Sequence, residues 1–163
     1  MNRRLLGWLG LLVAVVLLDQ ISKQWIVDHL HWGDAIRVTD FFQIVLAYNP
    51  GAAFSFLADQ SGWQRWFFTG LAIIVVTWLL VLIRRHANEY VLPMGLSLIA
   101  GGAIGNVIDR IQLGAVVDFL YFHWGSAGFP AFNLADSAIT LGVILMLWDQ
   151  LLCAKANSAA KES

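Results

Sequence analysis

The chain has one cysteine, three prolines and few charges for its length. The lone Cys153 excludes an internal disulfide and any multi-cysteine metal centre; within its apolar run it reads as an inert buried thiol. Only 13% of the 163 residues are charged and 59% are hydrophobic, a balance too apolar for a soluble domain and suited to an integral membrane protein. The net charge of −1 leaves no basic footprint for nucleic acid, which is excluded as a partner. There is no H-E-x-x-H for a zinc hydrolase and no glycine loop ending in Lys-Ser or Lys-Thr for phosphate. His29, His31, His86 and His123 show no ligand spacing on one helix, so neither a metal nor a cofactor is expected. Ser126, in Trp124-Gly125-Ser126-Ala127-Gly128, reads as part of a Gly/Ser loop and not as a nucleophile.

Four long apolar runs are present, at 5–27, 66–83, 91–108 and 134–152. Each is about 18 to 23 residues, roughly 27–35 Å as helix, enough to cross hydrocarbon. The first has no small-x-small cleavage site after it and continues as helix through Ile21, Trp25 and Val27, so it is expected to be retained as a span. Pro93 falls in a first helical turn, where its missing N–H is harmless. Arg3 and Arg4, Arg84 and Arg85, and Lys155 and Lys161 fall on one side of alternating spans. The positive-inside rule makes that side cytoplasmic, with both termini there, and turns the connections 28–65 and 109–133 outward. In the first connection, Phe41 to Tyr48 is aromatic and β-branched and predicts a strand, and Asn49-Pro50-Gly51 predicts a turn. Trp63, Trp66, Phe67 and Phe68 predict an interfacial anchor. The expected architecture is a single mainly α membrane domain: four transmembrane helices, a small extracytoplasmic β-containing subdomain between helices 1 and 2, and a disordered tail at 154–163.

The polar residues of the spans gather at one depth. Asp19 and Lys23 lie late in the first run, Asn106, Asp109 and Arg110 at the end of the third, Asp136 and Ser137 at the start of the fourth, and Asn49 and Asp118 in the outward connections. Charge near hydrocarbon is costly, and its concentration at the outer boundary predicts a site there. Several members have plainer readings. Asp19 and Lys23, at i,i+4 with the acid first, suit a structural ion pair, which is the favoured reading. Arg110 suits either the headgroups or a pair with Asp109. Gly101 and Gly105 suit close helix packing. Gly102, Asn106 and Arg110 share one helix face, which fits a polar cleft or a contact with a neighbouring helix. Asn133 and Asp136 have the spacing of an N-cap and its N3 acid, and capping and catalysis weigh equally for Asp136. Asp118 interrupts an apolar run with no basic neighbour in sequence, which favours function.

Five blocks in order complete the pattern: Asp19-Gln20-Ile21-Ser22-Lys23; Asn49-Pro50-Gly51-Ala52-Ala53-Phe54-Ser55; Gly101 to Arg110; Val116-Val117-Asp118-Phe119; and Phe132-Asn133-Leu134-Ala135-Asp136-Ser137. With them the chain resembles, over almost its whole length, lipoprotein signal peptidase, the bacterial signal peptidase II family. The resemblance implies an aspartyl endopeptidase of the bacterial inner membrane that frees the signal peptide from prolipoproteins by cutting just before a diacylglyceryl-modified cysteine. It implies Asp118 and Asp136 as the catalytic pair, and Asp19, Lys23, Asn49, Asn106, Asp109, Arg110, Asn133 and Ala135 as supporting or substrate-contacting positions. The implied partners are the prolipoprotein and membrane lipid, with the chain as a monomer. Elementary chemistry agrees, since two neighbouring acids hold one proton between them and can activate water without metal or covalent intermediate. The competing reading is a small proton-coupled transporter, which also uses intramembrane acids. It is disfavoured because the polar residues form no path across the bilayer.

Overall fold

The computed structural model describes residues 2–50, 63–125 and 127–162; the side chains of Gln64, Cys153 and 155–162 are likewise outside it. Residues 51–62, with the Gly51–Ser55 part of the second block and its turn, and Ser126 therefore lie outside the described residues, as does the side chain expected to be an inert thiol.

Among the described residues, four helices are long and apolar enough to cross a membrane: α1 (Arg3–His29), α2 (Trp63–Arg85), α3 (Val91–Leu113) and α4 (Leu134–Glu162). In α1 the buried positions are Leu12, Val15, Asp19, Lys23 and Ile26, a stripe of helical period, while Leu17, Leu18, Ile21 and Trp25 face outward. A stripe that buries an acid and an amine and exposes leucine is inverted relative to a soluble helix and suits a hydrocarbon surround. α1 starts on Asn2, whose side chain accepts the Arg4 N–H at 3.1 Å. α3 ends at Gly114, where φ is +80° and the N–H reaches Arg110 O. α4 continues to Glu162, through the stretch for which disorder is expected; Ala, Lys and Glu there are good helix formers.

α3 is the central helix and packs on the other three. Its glycines permit this. A Cβ on Gly101 would stand 2.8 Å from Val15 Cβ in α1, and one on Gly102 would collide with Ala135 O in α4. The packing reading of the G-x-x-x-G thus holds for Gly101, while Gly105 leaves room for the Asp19 carboxylate. One apolar cluster, Leu12, Leu79, Ile83, Leu96 and Ala100, closes the bundle. A second, Ile26, Leu30, Leu46, Val117 and Phe119, fastens the end of α1 to the sheet.

The antiparallel sheet has the order β1 (Ala35–Arg37), β2 (Phe42–Asn49), β3 (Val116–Trp124), β4 (Ala127–Gly128). β1 and β2 lie between helices 1 and 2 as expected. β3 and β4 do not; they come from the connection between α3 and α4, which the sequence reading left without strands. The reason is non-local, because most of β3 pairs with β2 some seventy positions earlier. Phe132 is also bound to β3: its O accepts from the N–H of Phe119 (3.0 Å) and Leu120 (2.8 Å), and its N–H reaches Leu120 O at 3.1 Å. That bridge sets the start of α4 beside Asp118.

Candidate active site

The first turn of α4 is built by local chemistry. Asn133 Oδ1 accepts the Asp136 N–H at 2.9 Å, and Asp136 Oδ2 accepts the Asn133 N–H at 3.2 Å, a reciprocal capping pair. The capping reading of Asp136 is therefore realised, and it does not consume the residue. Asp136 Oδ1 is aimed elsewhere and accepts from Asn106 Nδ2 at 2.8 Å.

Asp118 reaches the same place from the sheet. Its Oδ1 accepts from Asn133 Nδ2 at 2.7 Å and its Oδ2 from Asn49 Nδ2 at 3.1 Å. Asn133 thus touches both acids, Asp118 through its side chain and Asp136 through both backbone and side chain. Asn49 joins because of a bulge. Ile44 pairs with Leu120, but Ala47, not Leu46, pairs with Asp118. The extra residue in β2 puts Asn49, opposite Val116, on the same face as Asp118; a regular ladder would turn it to the other face.

Asp118 is 3% exposed. Burial pushes its carboxyl up from 3.8 to about 6, and the like charge of Asp136 acts in the same direction; hydrogen bonds from Asn49 and Asn133 and the charge of Lys23 oppose it.

Beneath the two acids lies a second layer, fully buried. Lys23 Nζ stands 2.9 Å from Asp19 Oδ2, 2.8 Å from Asp109 Oδ2 and 2.9 Å from Asn106 Oδ1, which uses its three N–H donors. The structural reading of Asp19 and Lys23 holds, enlarged by Asp109. Asp109 pairs with Lys23 and not with Arg110. Each of these buried carboxylates also takes a backbone N–H next to an upper acid: Asp19 Oδ1 accepts from Ala135 at 2.9 Å, and Asp109 Oδ2 from Val117 at 3.1 Å. The residues that follow those amides are Asp136 and Asp118.

Of the expected site residues, Asp118, Asp136, Asn49, Asn106, Asn133, Asp19, Lys23, Asp109 and Ala135 form one hydrogen-bonded assembly. Arg110 stands beside it. Its Nη1 reaches Asn106 O in its own helix at 3.2 Å and its guanidinium lies over the Phe68 ring at 5.7 Å. Sequence reading passed over Gln20, whose signal was an amide inside an apolar helix directly after Asp19. Among the described residues, no group of three or more His, Cys, Asp or Glu is arranged to hold a metal.

Asp136 also lines a groove of about 610 Å³. Leu141 and Ile144 wall it along α4, Phe129 and Phe132 on the segment before, and Thr140 and Ser137 lie between. The arrangement offers two carboxyls bridged by Asn133 beside an apolar trough that runs down a membrane-length helix.

Comparison with known proteins bears on this arrangement. The profile of the Signal peptidase (SPase) II family matches residues 11–152. The lipoprotein signal peptidase of Azoarcus sp. (strain BH72) is 61% identical over 156 residues, covering 96% of this chain and 89% of that one. The lipoprotein signal peptidase of Cupriavidus taiwanensis is 51% identical over 144 residues, covering 88% and 82%. Among solved structures, a bacterial membrane enzyme determined by the in meso method at 2.3 Å superposes with a TM-score of 0.79 at 35% identity, covering 93% of this chain and 90% of that one.

Proposed function

Because the chain belongs to the signal peptidase II family, and is thus a membrane protease that processes prolipoproteins, we propose that it works as an aspartyl endopeptidase through Asp118 and Asp136. The observation that carries this reading is Asn133, which hydrogen-bonds to both acids and so holds them as a pair. Family membership sets the transporter reading aside.

The roles follow from the two settings. Asp118 is buried on an apolar strand and faces a like charge, so it takes up a proton more readily than an ordinary carboxyl and is assigned the acid's part. Asp136 sits in the first turn of α4, where Asn106 and Asn133 orient its two oxygens, and is assigned the part of the base. Asp136 takes a proton from water as the water oxygen bonds to the scissile carbonyl carbon. Asp118 gives its proton to the carbonyl oxygen. The tetrahedral diol then collapses: Asp136 passes its proton to the departing nitrogen, the C–N bond breaks, and Asp118 recovers a proton from the diol.

The apolar groove beside Asp136 suits an acyl chain or a signal-peptide helix, and the cut falls just before a lipid-modified cysteine. Arg3, Arg4, Arg84 and Arg85 lie at the end of the bundle opposite the sheet, which supports a cytoplasmic location for that end and an outer-leaflet position for the site. Asn106 and Arg110, both hydrogen-bond donors, are the candidates to hold substrate backbone carbonyls or lipid phosphate.

The test is to replace Asp118 and Asp136 singly by Asn and to incubate each purified variant with a diacylglyceryl-modified precursor. Mass spectrometry should find the cut before the modified cysteine with the parent enzyme and no cut with either variant. Substantial processing by one variant removes that residue from the reaction.

A further inference from the structure

Gln20 has no part in the reaction as described, yet it touches both buried anchors of the site. Its Nε2 lies 2.9 Å from Asp109 Oδ1, 3.2 Å from Asp19 Oδ2 and 3.2 Å from Gly105 O. Asp19 holds the amide that precedes Asp136, and Asp109 holds the amide that precedes Asp118. The distance between the two anchors is therefore passed upward to the reacting acids through one peptide unit on each side.

Two groups span those anchors. Lys23 draws them together by charge. An ammonium on a four-carbon stem is close to a point charge and fixes direction poorly. The Gln20 amide is planar, and its N–H bonds diverge at a set angle, so it fixes how the two carboxylates stand relative to each other. The third acceptor, Gly105 O, ties that amide to the backbone of α3. The absence of a side chain at Gly105 is what admits Asp19 at this point.

We infer that Gln20 is a positioning residue that sets the separation of Asp118 and Asp136 by bridging Asp19 to Asp109. The inference rests on the aspartyl reading proposed above. A pair that shares one proton depends steeply on spacing, because the coupling between the two carboxyls falls as they part.

Gln20→Met keeps length and shape and removes both N–H donors; Gln20→Asn keeps the amide but shortens its reach. Each is measured in detergent beside the parent, Asp118→Asn and Asp136→Asn. The expected result is a kcat about tenfold to a hundredfold lower, as for a displacement of up to about 1 Å, with KM held because Gln20 does not line the groove. The two limbs of the bell-shaped kcat profile should also move toward each other, since weaker coupling brings the two apparent pKa values together. A purely structural role would change thermal stability and folded fraction and leave that bell in place. Parent-like kcat and bell in either folded variant, with both aspartate variants inactive, overturns the inference alone. So does a loss of rate that only tracks folded fraction. Activity in an aspartate variant instead sinks the dyad itself, and this inference with it. If Gln20→Met does not fold, Gln20→Asn decides.

Discussion

The energetic cost of keeping Asp118 where it is can be measured through Asp118→Asn. The folded carboxyl is raised from 3.8 to about 6, chiefly by burial. A raised acid binds its proton more tightly in the folded state than in the unfolded one. Its contribution is thus fully present below the unfolded value and is lost as pH rises through the folded one. A difference of about two pKa units corresponds to roughly 3 kcal/mol. The parent should lose that amount between pH about 4 and about 7, whereas an asparagine does not titrate. The substitution would also present an amide to the Nδ2 groups of Asn49 and Asn133, which donate to Asp118 at 3.1 and 2.7 Å, and that mismatch costs the same at every pH. The prediction therefore concerns the slope. The melting temperature of Asp118→Asn minus that of the parent, in detergent, should rise by roughly 6–12 °C from pH about 4 to about 7. Titrating groups that do not interact with Asp118 cancel in the difference. A gap that is flat with pH, or that shrinks as pH rises, refutes the claim that burial holds a proton on Asp118.

Lys23→Met leaves Asp19 and Asp109 buried without their ammonium and should cost about 3–5 kcal/mol, seen as a lower melting temperature and a loss of processing. Gly105→Ala would drive a methyl into Asp19 Oδ2, with a cost of about 1–3 kcal/mol and a fall in kcat. Gly7→Ala, where a Cβ meets nothing within 4 Å, should lower neither stability nor kcat and serves as its control.

Much of the site could be read from spacing where the physics is local. The Asn133–Asp136 capping pair lies within four residues, and the hydrogen bonds follow from one turn of helix. The inverted polarity of α1, with Asp19 and Lys23 one turn apart, needed only helical period. β2 was legible from its composition to within one residue. β3 was not, although Val116 to Phe122 is just as rich in strand formers, because Asp118 breaks its apolar run and its partner strand lies far away in sequence. The partner of Asp109 was likewise open in the sequence, where a pair with Arg110 was one of two readings. Arg110 is its neighbour in sequence, but adjacent residues on a helix point apart, and Lys23 of another helix faces it at 2.8 Å.

The sequence by itself determined that four apolar segments cross a bilayer, that their polar residues collect toward one end, and which residues form each motif. These follow from transfer free energy and helical period, which act along the chain. Only the tertiary structure decided that Asn133 joins Asp118 to Asp136, that a one-residue bulge turns Asn49 toward them, and that Lys23 and Gln20 bind the two buried carboxylates beneath. Those relations depend on how close α3 comes to α1 and α4, and on a strand register, and neither distance nor register is written in any single stretch of residues.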